Sequence, residues 1–200
     1  TVEEIISNYN VDGIHYDDYF YTSGGFEKYS ENRLYSEYRK KGGNLGLEDW
    51  RRDNVDRMVY QVSEVVEKVN KEQNKRVAFG ISPAGIWAPG KETCKDSRGI
   101  EGGMDVACGS YSSYLDLYAD TKKWVEEEWI DYILPQVYSS LGDGNYEEVT
   151  EWWAEIVSKT DVKLYIGTAL YNTVDKKFEQ LEIYNQMKWC RANEVVKENV

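Results

Sequence analysis

The hydrophobic and polar positions of this chain form segments that alternate between strand-like and helix-like spacing. Short apolar segments favour β-strands at residues 11–16, 77–82, 129–135 and 162–169. Apolar residues at helical spacing predict helices at residues 2–9, 31–40, 48–72, 113–128, 146–159 and 175–196. After the first helix, strand and helix alternate four times, which predicts an α/β fold of about four parallel βα units.

Long glycine-rich segments follow two of the predicted strands, at residues 21–47 and 88–112, whereas the connections from helix to strand are short. Loops of this length in a compact domain are usually functional or disordered. The asymmetry is typical of a barrel or an open parallel sheet with its site at the carboxyl ends of the strands. We therefore expect functional side chains at those ends.

Two adjacent acids, Asp17 and Asp18, stand where the first predicted strand gives way to a loop. Neighbouring carboxylates repel each other, so this placement favours catalysis or binding, in which a substrate, proton or cation relieves the repulsion. The alternative is that both acids cap a following helix. No helical pattern follows at once, because Ser23, Gly24 and Gly25 intervene.

Further candidates for substrate binding stand on or after the predicted strands. Alternation puts His15 on the same face as Asp17, and we expect the two to hydrogen-bond. Pro135 ends the third strand and should direct Gln136 and Tyr138 into the mouth of the site. Aromatic candidates are Tyr19, Trp87 (as a platform for a sugar ring) and Tyr171.

The first turn of the long predicted helix carries Trp50, Arg51 and Arg52. Cations oppose the helix dipole at this end, so the arginines should have another use, such as gripping a carboxylate or a sugar. Trp50 and Arg51 are therefore candidate substrate-binding residues. The alternative for each arginine is a surface salt bridge to Glu48 or Asp49.

Charge and composition narrow the classes of partner. The 200 residues carry a formal net charge of −12, which argues against nucleic acid and anionic membrane surfaces as partners. No apolar run is long enough to cross a membrane. Seven Trp and 17 Tyr suit carbohydrate binding through stacking on sugar rings, or an aromatic core.

The three cysteines do not form a disulfide framework. Cys94 and Cys108 lie in one glycine-rich segment and could pair in an oxidising compartment, whereas Cys190 on a predicted helix should be a buried apolar residue. No cysteine or histidine spacing supports a zinc site, and we predict neither a metal nor a cofactor. A hydrolase with a Ser-His or Cys-His pair would depend on His15, the single histidine.

Several segments, in order along nearly the whole chain, resemble the motifs of glycosyl hydrolase-like family ten. They are Asp12–Tyr21, Asp49–Val55, Phe79–Pro83, Gly85–Trp87, Tyr118–Thr121, Trp129–Tyr132, Pro135–Tyr138 and Leu164–Gly167. The resemblance implies a (β/α)8 barrel and a glycan substrate, with peptidoglycan sugar strands favoured. It also implies a bacterial protein that is secreted or in the cell envelope. Ala84 and Ser139 depart from the family pattern, which has a larger aromatic and a Trp at these positions.

In that family these motifs stand on barrel strands four to seven, and strands one to three and strand eight have no counterpart here. Residues 1–200 are therefore expected to be the C-terminal part of a (β/α)8 catalytic domain, inactive as an isolated fragment. Exposed sheet edges at both ends predict a homodimer or contact with a missing segment.

Two hydrolytic schemes fit these residues. In the first, Asp17 is the nucleophile, but Ser82-Pro83 after the next strand does not supply the glutamic acid that this scheme needs. In the second, Asp17 and Asp18 act as a pair on a 2-acetamido sugar whose own carbonyl oxygen attacks. The competing class is a non-catalytic glycan-binding barrel, and a further alternative is a cation held by Asp17, Asp18 and Asp120.

Overall fold

The computed structural model describes residues 1–21, 28–142, 144–175, 177–192 and 196–199. These residues form an α/β fold around one parallel sheet, in the arrangement of part of a (β/α)8 barrel, as predicted. The strands lie side by side in chain order. They are β1 (Gly13–Tyr16), β2 (Ala78–Ile81), β3 (Tyr132–Ile133), β4 (Lys163–Ile166) and β5 (Val196–Asn199).

Helices connect the strands and cover one face of the sheet. They are α1 (Val2–Asn8), α2 (Lys28–Lys40), α3 (Leu47–Gln73), α4 (Ser113–Asp116), α5 (Thr121–Glu126), α6 (Tyr146–Val157), α7 (Leu170–Val174) and α8 (Glu182–Arg191). None of the helices in the described ranges is both long and apolar enough to span a membrane.

The core lies between the sheet and the helices. Because side chains alternate along a strand, Phe79 and Ile81 of β2 both point into this core, and Trp124 of α5 and Trp153 of α6 are fully buried there. The opposite face of the sheet carries polar and aromatic side chains, including His15, which the described residues leave partly exposed. This second face leads to the carboxyl ends of the strands.

The helix predicted at residues 113–128 is wrong in one respect, because the chain breaks it into α4 and α5. Tyr118 has a positive φ of 50°, which a continuous helix does not allow. Asp120 then caps α5 by accepting a hydrogen bond from the backbone N–H of Lys123. The break places Tyr118 and Asp120 at the carboxyl side of the sheet.

The single helix predicted at residues 175–196 is also wrong. Helix α7 ends at Val174, just before the predicted helix would begin. The described residues that follow form α8 and then β5, which pairs in parallel with β4. The sequence pattern does not predict this fifth strand, and the family resemblance gives barrel strand eight no counterpart in the chain. The predicted loop residues Ser23, Gly24 and Gly25 lie outside the described residues.

A disulfide joins Cys94 to Cys108 within the long segment after β2. This is the pairing that the sequence left open. The third cysteine, Cys190 of α8, is buried beside the hydroxyl of Tyr146, as the apolar reading predicted.

Candidate active site

The two acids follow β1 directly, and Asp17 is held by donors from three parts of the chain. Its Oδ1 accepts hydrogen bonds from the backbone N–H of Asp18 at 2.8 Å, Nε2 of Gln136 at 2.9 Å and Oγ of Ser82 at 3.3 Å. Gln136 also donates to the backbone oxygen of Ser82 at 2.8 Å, so its own amide is fixed. The orientation of the Asp17 carboxylate is therefore set by the ends of β1, β2 and β3.

Asp18 is electrostatically different from its neighbour. Burial, and next the negative charge of Asp17, raise the pKa of the Asp18 carboxyl, and a side-chain hydrogen bond with Asp17 acts in the same direction. The Asp18 carboxyl thus keeps its proton to a higher pH than an ordinary aspartic acid does. A carboxyl group with a raised pKa is better suited to donate a proton than an ordinary aspartic acid.

A cavity of about 500 Å³ opens beside Asp18, a size usual for small-ligand sites. Its walls come from the segments that follow β1, β2 and β3 and from α6. The lining residues are Asp18, Ala84, Gly85, Ile86, Tyr111, Gln136, Val137, Tyr138, Ser139, Asn145 and Val149. The structure therefore brings Asp18, Gln136 and Tyr138 to one hollow, and Asp17 contacts it through Gln136.

Tyr138 stands at the rim of this cavity. Burial first, and then the neighbouring Tyr171 and the charges of Asp17 and Asp18, raise the pKa of its hydroxyl, so Tyr138 remains a hydrogen-bond donor. Tyr171 of α7 packs edge-on against the Tyr138 ring, with centroids 6.0 Å apart. Both rings are exposed, but only Tyr138 is among the residues that line the cavity, and Tyr171 packs against it from outside.

A family profile described as Glycosyl hydrolase-like 10 matches residues 1–185. The chain belongs to the glycosyl hydrolase-like 10 family. It is 37% identical over 175 residues to the protein named Glycosyl hydrolase DigH of Escherichia coli strain K12, which covers 85% of this chain and 36% of that protein. It is 36% identical over 203 residues to Glycosyl hydrolase YngK of Bacillus subtilis strain 168, with 98% and 37% covered. The chain thus spans a little over a third of these relatives.

Ala84 and Ser139, where the motif resemblance predicts larger aromatic side chains, both line the cavity. They place a methyl group and a hydroxymethyl group on its wall.

The predicted direct hydrogen bond between His15 and Asp17 is not formed. Instead Nε2 of His15 lies 2.8 Å from Oγ of Ser82, and Nδ1 lies 2.9 Å from the hydroxyl of Tyr132. Ser82 in turn bonds Asp17, so His15 acts on the acid through one intervening hydroxyl. Burial lowers the pKa of His15, and the charge of Asp17 partly opposes that shift.

Arg51, predicted to bind substrate, is not among the residues that line this cavity, and its described hydrogen bonds go to other parts of the chain. Its Nε and one terminal nitrogen bond the two carboxylate oxygens of Glu31 at 2.6 and 2.7 Å, and the other terminal nitrogen bonds the hydroxyl of Tyr118 at 2.7 Å. Binding of a carboxylate was one of the uses predicted for Arg51, and the carboxylate that it binds is that of Glu31 in α2. Trp50 is likewise buried against Tyr35 and Tyr38.

Trp87 is not an open platform for a sugar ring, contrary to the prediction. Its side chain is only 5% exposed, because it stacks on Trp152 and packs against Tyr114. Its indole N–H donates to Asp120 at 3.0 Å. Tyr19 has the opposite character, since it is 88% exposed and is not among the residues lining the cavity.

The cation site suggested for Asp17, Asp18 and Asp120 does not form. Asp120 is occupied as the cap of α5 and as the acceptor for Trp87. Among the described residues, the potential ligand atoms that gather within 4.8 Å are those of Cys94, Asp96 and Cys108, and both cysteines are in the disulfide.

Sequence reasoning missed Ser82, Tyr132 and Tyr111. Ser82 follows β2 by one residue, so the rule that placed Asp17 after β1 could have found it. Tyr132 lies within β3 and contacts His15 only because of the strand register. Tyr111 lines the cavity from an irregular segment, and burial followed by the charge of Asp18 raises the pKa of its hydroxyl.

Proposed function

We propose that this protein is a glycoside hydrolase that cleaves an N-acetylated sugar strand, such as that of peptidoglycan, with Asp17 and Asp18 as its catalytic pair. The observation that carries the proposal is the different environment of the two acids. Three donors orient Asp17, whereas Asp18 has a raised pKa and lines the cavity. Two carboxyl groups held in different environments suit different roles in one reaction.

In the proposed first step, Asp18 protonates the glycosidic oxygen while the carbonyl oxygen of the sugar's 2-acetamido group attacks C1 and the C1–O bond breaks. Asp17 accepts the acetamido N–H and holds that group in place. Tyr138 is placed to donate a hydrogen bond to the acetamido oxygen.

In the second step, Asp18 as carboxylate removes a proton from water, which attacks C1 and opens the cyclic intermediate. Two inversions at C1 give a product of retained configuration. This scheme is favoured over Asp17 as nucleophile because Ser82 stands where a glutamic acid would follow the second strand, and it donates to Asp17. Asp18 is also the one acid among the described residues that line the cavity.

The chain is proposed to be the C-terminal part of a larger (β/α)8 catalytic domain. Three features support this: β1 and β5 are open edges of the sheet in the described residues, one sheet face is uncovered, and the match covers only 36–37% of the relatives' length. Exposed apolar side chains of Leu170, Val174 and Leu181 on and between α7 and α8 fit a further covering segment or a second copy.

A secreted or envelope location is proposed for the protein. The disulfide between Cys94 and Cys108 supports it, because disulfides persist in oxidising compartments and are rare in the cytosol. The acidic net charge of −12 fits a glycan substrate better than a nucleic acid.

The test is hydrolysis of N-acetylated oligosaccharides by the complete barrel that contains this chain, followed by mass spectrometry of the products. Asp18→Asn should lower kcat by about 100- to 10,000-fold, the range for loss of a general acid. Asp17→Asn should lower kcat and also shift the alkaline limb of the rate profile to lower pH. The shift follows because it removes the charge that raises the pKa of Asp18.

Asp12→Asn is the matched control, since Asp12 is an exposed acid at the other end of the same strand. A glycan-binding barrel would give another pattern, in which the wild type binds the oligosaccharide without releasing product and both Asn variants keep much of that affinity. Hydrolysis unaffected by Asp18→Asn would refute the assigned role.

A further inference from the structure

We propose that Tyr132, His15 and Ser82 form a one-directional chain of hydrogen bonds that ends on Oδ1 of Asp17, and that Ser82 and His15 are positioning residues for the proposed reaction. The positioning role depends on the proposed function. The hydrogen-bond chain itself does not depend on any activity.

The geometry comes from the register of the first three strands. His15 of β1 is level with Gly80 of β2, and Gly80 is level with Tyr132 of β3. The Tyr132 ring lies across Gly80, and a Cβ atom at position 80 would come within 2.1 Å of that ring. The ring also stacks against the His15 imidazole, with the two ring centroids 5.7 Å apart. Glycine at position 80 is what lets a side chain of β3 reach one on β1.

The direction of the chain follows from counting hydrogens. An ionised carboxylate only accepts, so the single hydroxyl hydrogen of Ser82 goes to Asp17. Ser82 must then accept from Nε2–H of His15 at 2.8 Å. A neutral imidazole with its proton on Nε2 has an acceptor at Nδ1. The Tyr132 hydroxyl donates to this nitrogen, with 2.9 Å between the oxygen and Nδ1.

The surroundings favour this neutral form. Burial lowers the pKa of His15, while Asp17 beyond Ser82 is the charged group that opposes the shift. Burial raises the pKa of Tyr132, so its hydroxyl keeps the hydrogen that it donates. All three donors described for Asp17 meet at Oδ1, which leaves Oδ2 as the oxygen with which Asp17 can approach Asp18 or a substrate amide.

The experiment uses the fact that this chain has a single histidine. The chain is produced without a histidine tag, labelled with ¹⁵N at histidine, and studied by NMR through the two imidazole nitrogens during a pH titration. We expect an unprotonated Nδ1 and a protonated Nε2 above the pKa of His15. A wild-type imidazole with its proton on Nδ1 would overturn the proposal without any variant.

Variants then test each link. Asp17→Ala leaves the Ser82 hydroxyl free to donate to Nε2, so the imidazole should shift toward the Nδ1–H form, although residue 17 does not touch the ring. Gly80→Ala should displace the Tyr132 ring and change the Nδ1 signal without removing a hydrogen-bonding group. Tyr165→Phe is the control, because Tyr165 packs on Tyr132 outside the chain of hydrogen bonds.

Kinetics of the complete barrel test the positioning role separately. Ser82→Ala should lower kcat about ten- to a hundredfold, the effect of losing one hydrogen bond to a charged group, with KM changed less than about twofold. Ser82→Thr, which keeps the hydroxyl, should restore most of the rate. A spectrum of Asp17→Ala identical to the wild type refutes the hydrogen-bond chain, whereas absence of hydrolysis in the wild type refutes only the proposed function.

Discussion

The guanidinium of Arg51 joins α3 to α2 and to the loop before α5, and replacing it with alanine should destabilise the fold strongly. The substitution removes two hydrogen bonds to Glu31 and one to Tyr118. It also leaves the Glu31 carboxylate, which is 6% exposed, with the Tyr21 hydroxyl as its remaining described partner.

Removing one member of a buried ion pair costs about 3–5 kcal/mol, because the other charge stays buried without compensation. The Arg51 side chain is 13% exposed, so water can partly replace it and the lower end of about 3 kcal/mol applies. For a domain of this size that corresponds to a midpoint lower by about 6–12 °C.

The assay is urea or thermal denaturation at pH 7 and again near pH 4. Hydrogen bonding from Arg51 lowers the pKa of Glu31 below its ordinary value of 4.5. The contribution of the pair is therefore complete above that value and is lost as the pH falls through the lowered pKa. The difference between wild type and Arg51→Ala should shrink in acid.

Arg57→Ala is the matched control, because Arg57 lies on the same helix and pairs with Asp53 at an exposed position, where the cost should stay below about 1 kcal/mol. In a double-mutant cycle, Arg51→Ala should cost much less once Glu31 is Gln. An Arg51→Ala chain as stable as the Arg57→Ala chain, together with a raised KM in the complete barrel, would refute the structural role and return Arg51 to substrate binding.

Two further predictions concern the core and the disulfide. Trp153→Ala removes a fully buried indole whose N–H donates to the backbone after β2, and it should cost about 3–5 kcal/mol in urea denaturation; a cost under 1 kcal/mol would mean that α6 does not pack as described. Cys108→Ser opens the loop closed to Cys94 and should cost about 3 kcal/mol. Reductant should lower the wild-type midpoint and leave the variant unchanged, and an insensitive wild type would contradict the pairing.

Elements with a strong apolar period were predictable from the sequence. Helix α3 was expected at residues 48–72 and spans Leu47–Gln73, because Val55, Val59, Val66 and Val69 repeat at helical spacing and are buried. The turn at the carboxyl end of β1 was predictable for a similar reason, since apolar alternation stops at the two acids.

Other elements depend on contacts that no local pattern reveals. The break between α4 and α5 requires a left-handed Tyr118, whose side chain packs against the Arg51 guanidinium far away in the sequence. Strand β5 is short and polar apart from Val196, so only its pairing with β4 identifies it. The stacking of Trp152 on Trp87 was likewise not predictable, because the sequence shows only that Trp87 follows a strand.

The residues of the candidate site fall into the same two groups, those that a local pattern predicts and those that depend on contacts distant in the sequence. Asp18, Gln136 and Tyr138 were found because each follows a predicted strand, and in a parallel sheet those ends meet. Ser82 and Tyr132 act through strand register, since Tyr132 reaches His15 across Gly80. The sequence alone does not give that register.

Each strand of the sheet pairs with the one that precedes it in the chain, from β1 through β5. Each strand after β1 can therefore add to an edge formed by the strands before it in the chain, and the sheet does not have to open to admit it. The acidic pair after β1 is translated more than a hundred residues before its partner Gln136. The nascent chain thus carries the two acids for that interval before the side chain that fixes Asp17 exists.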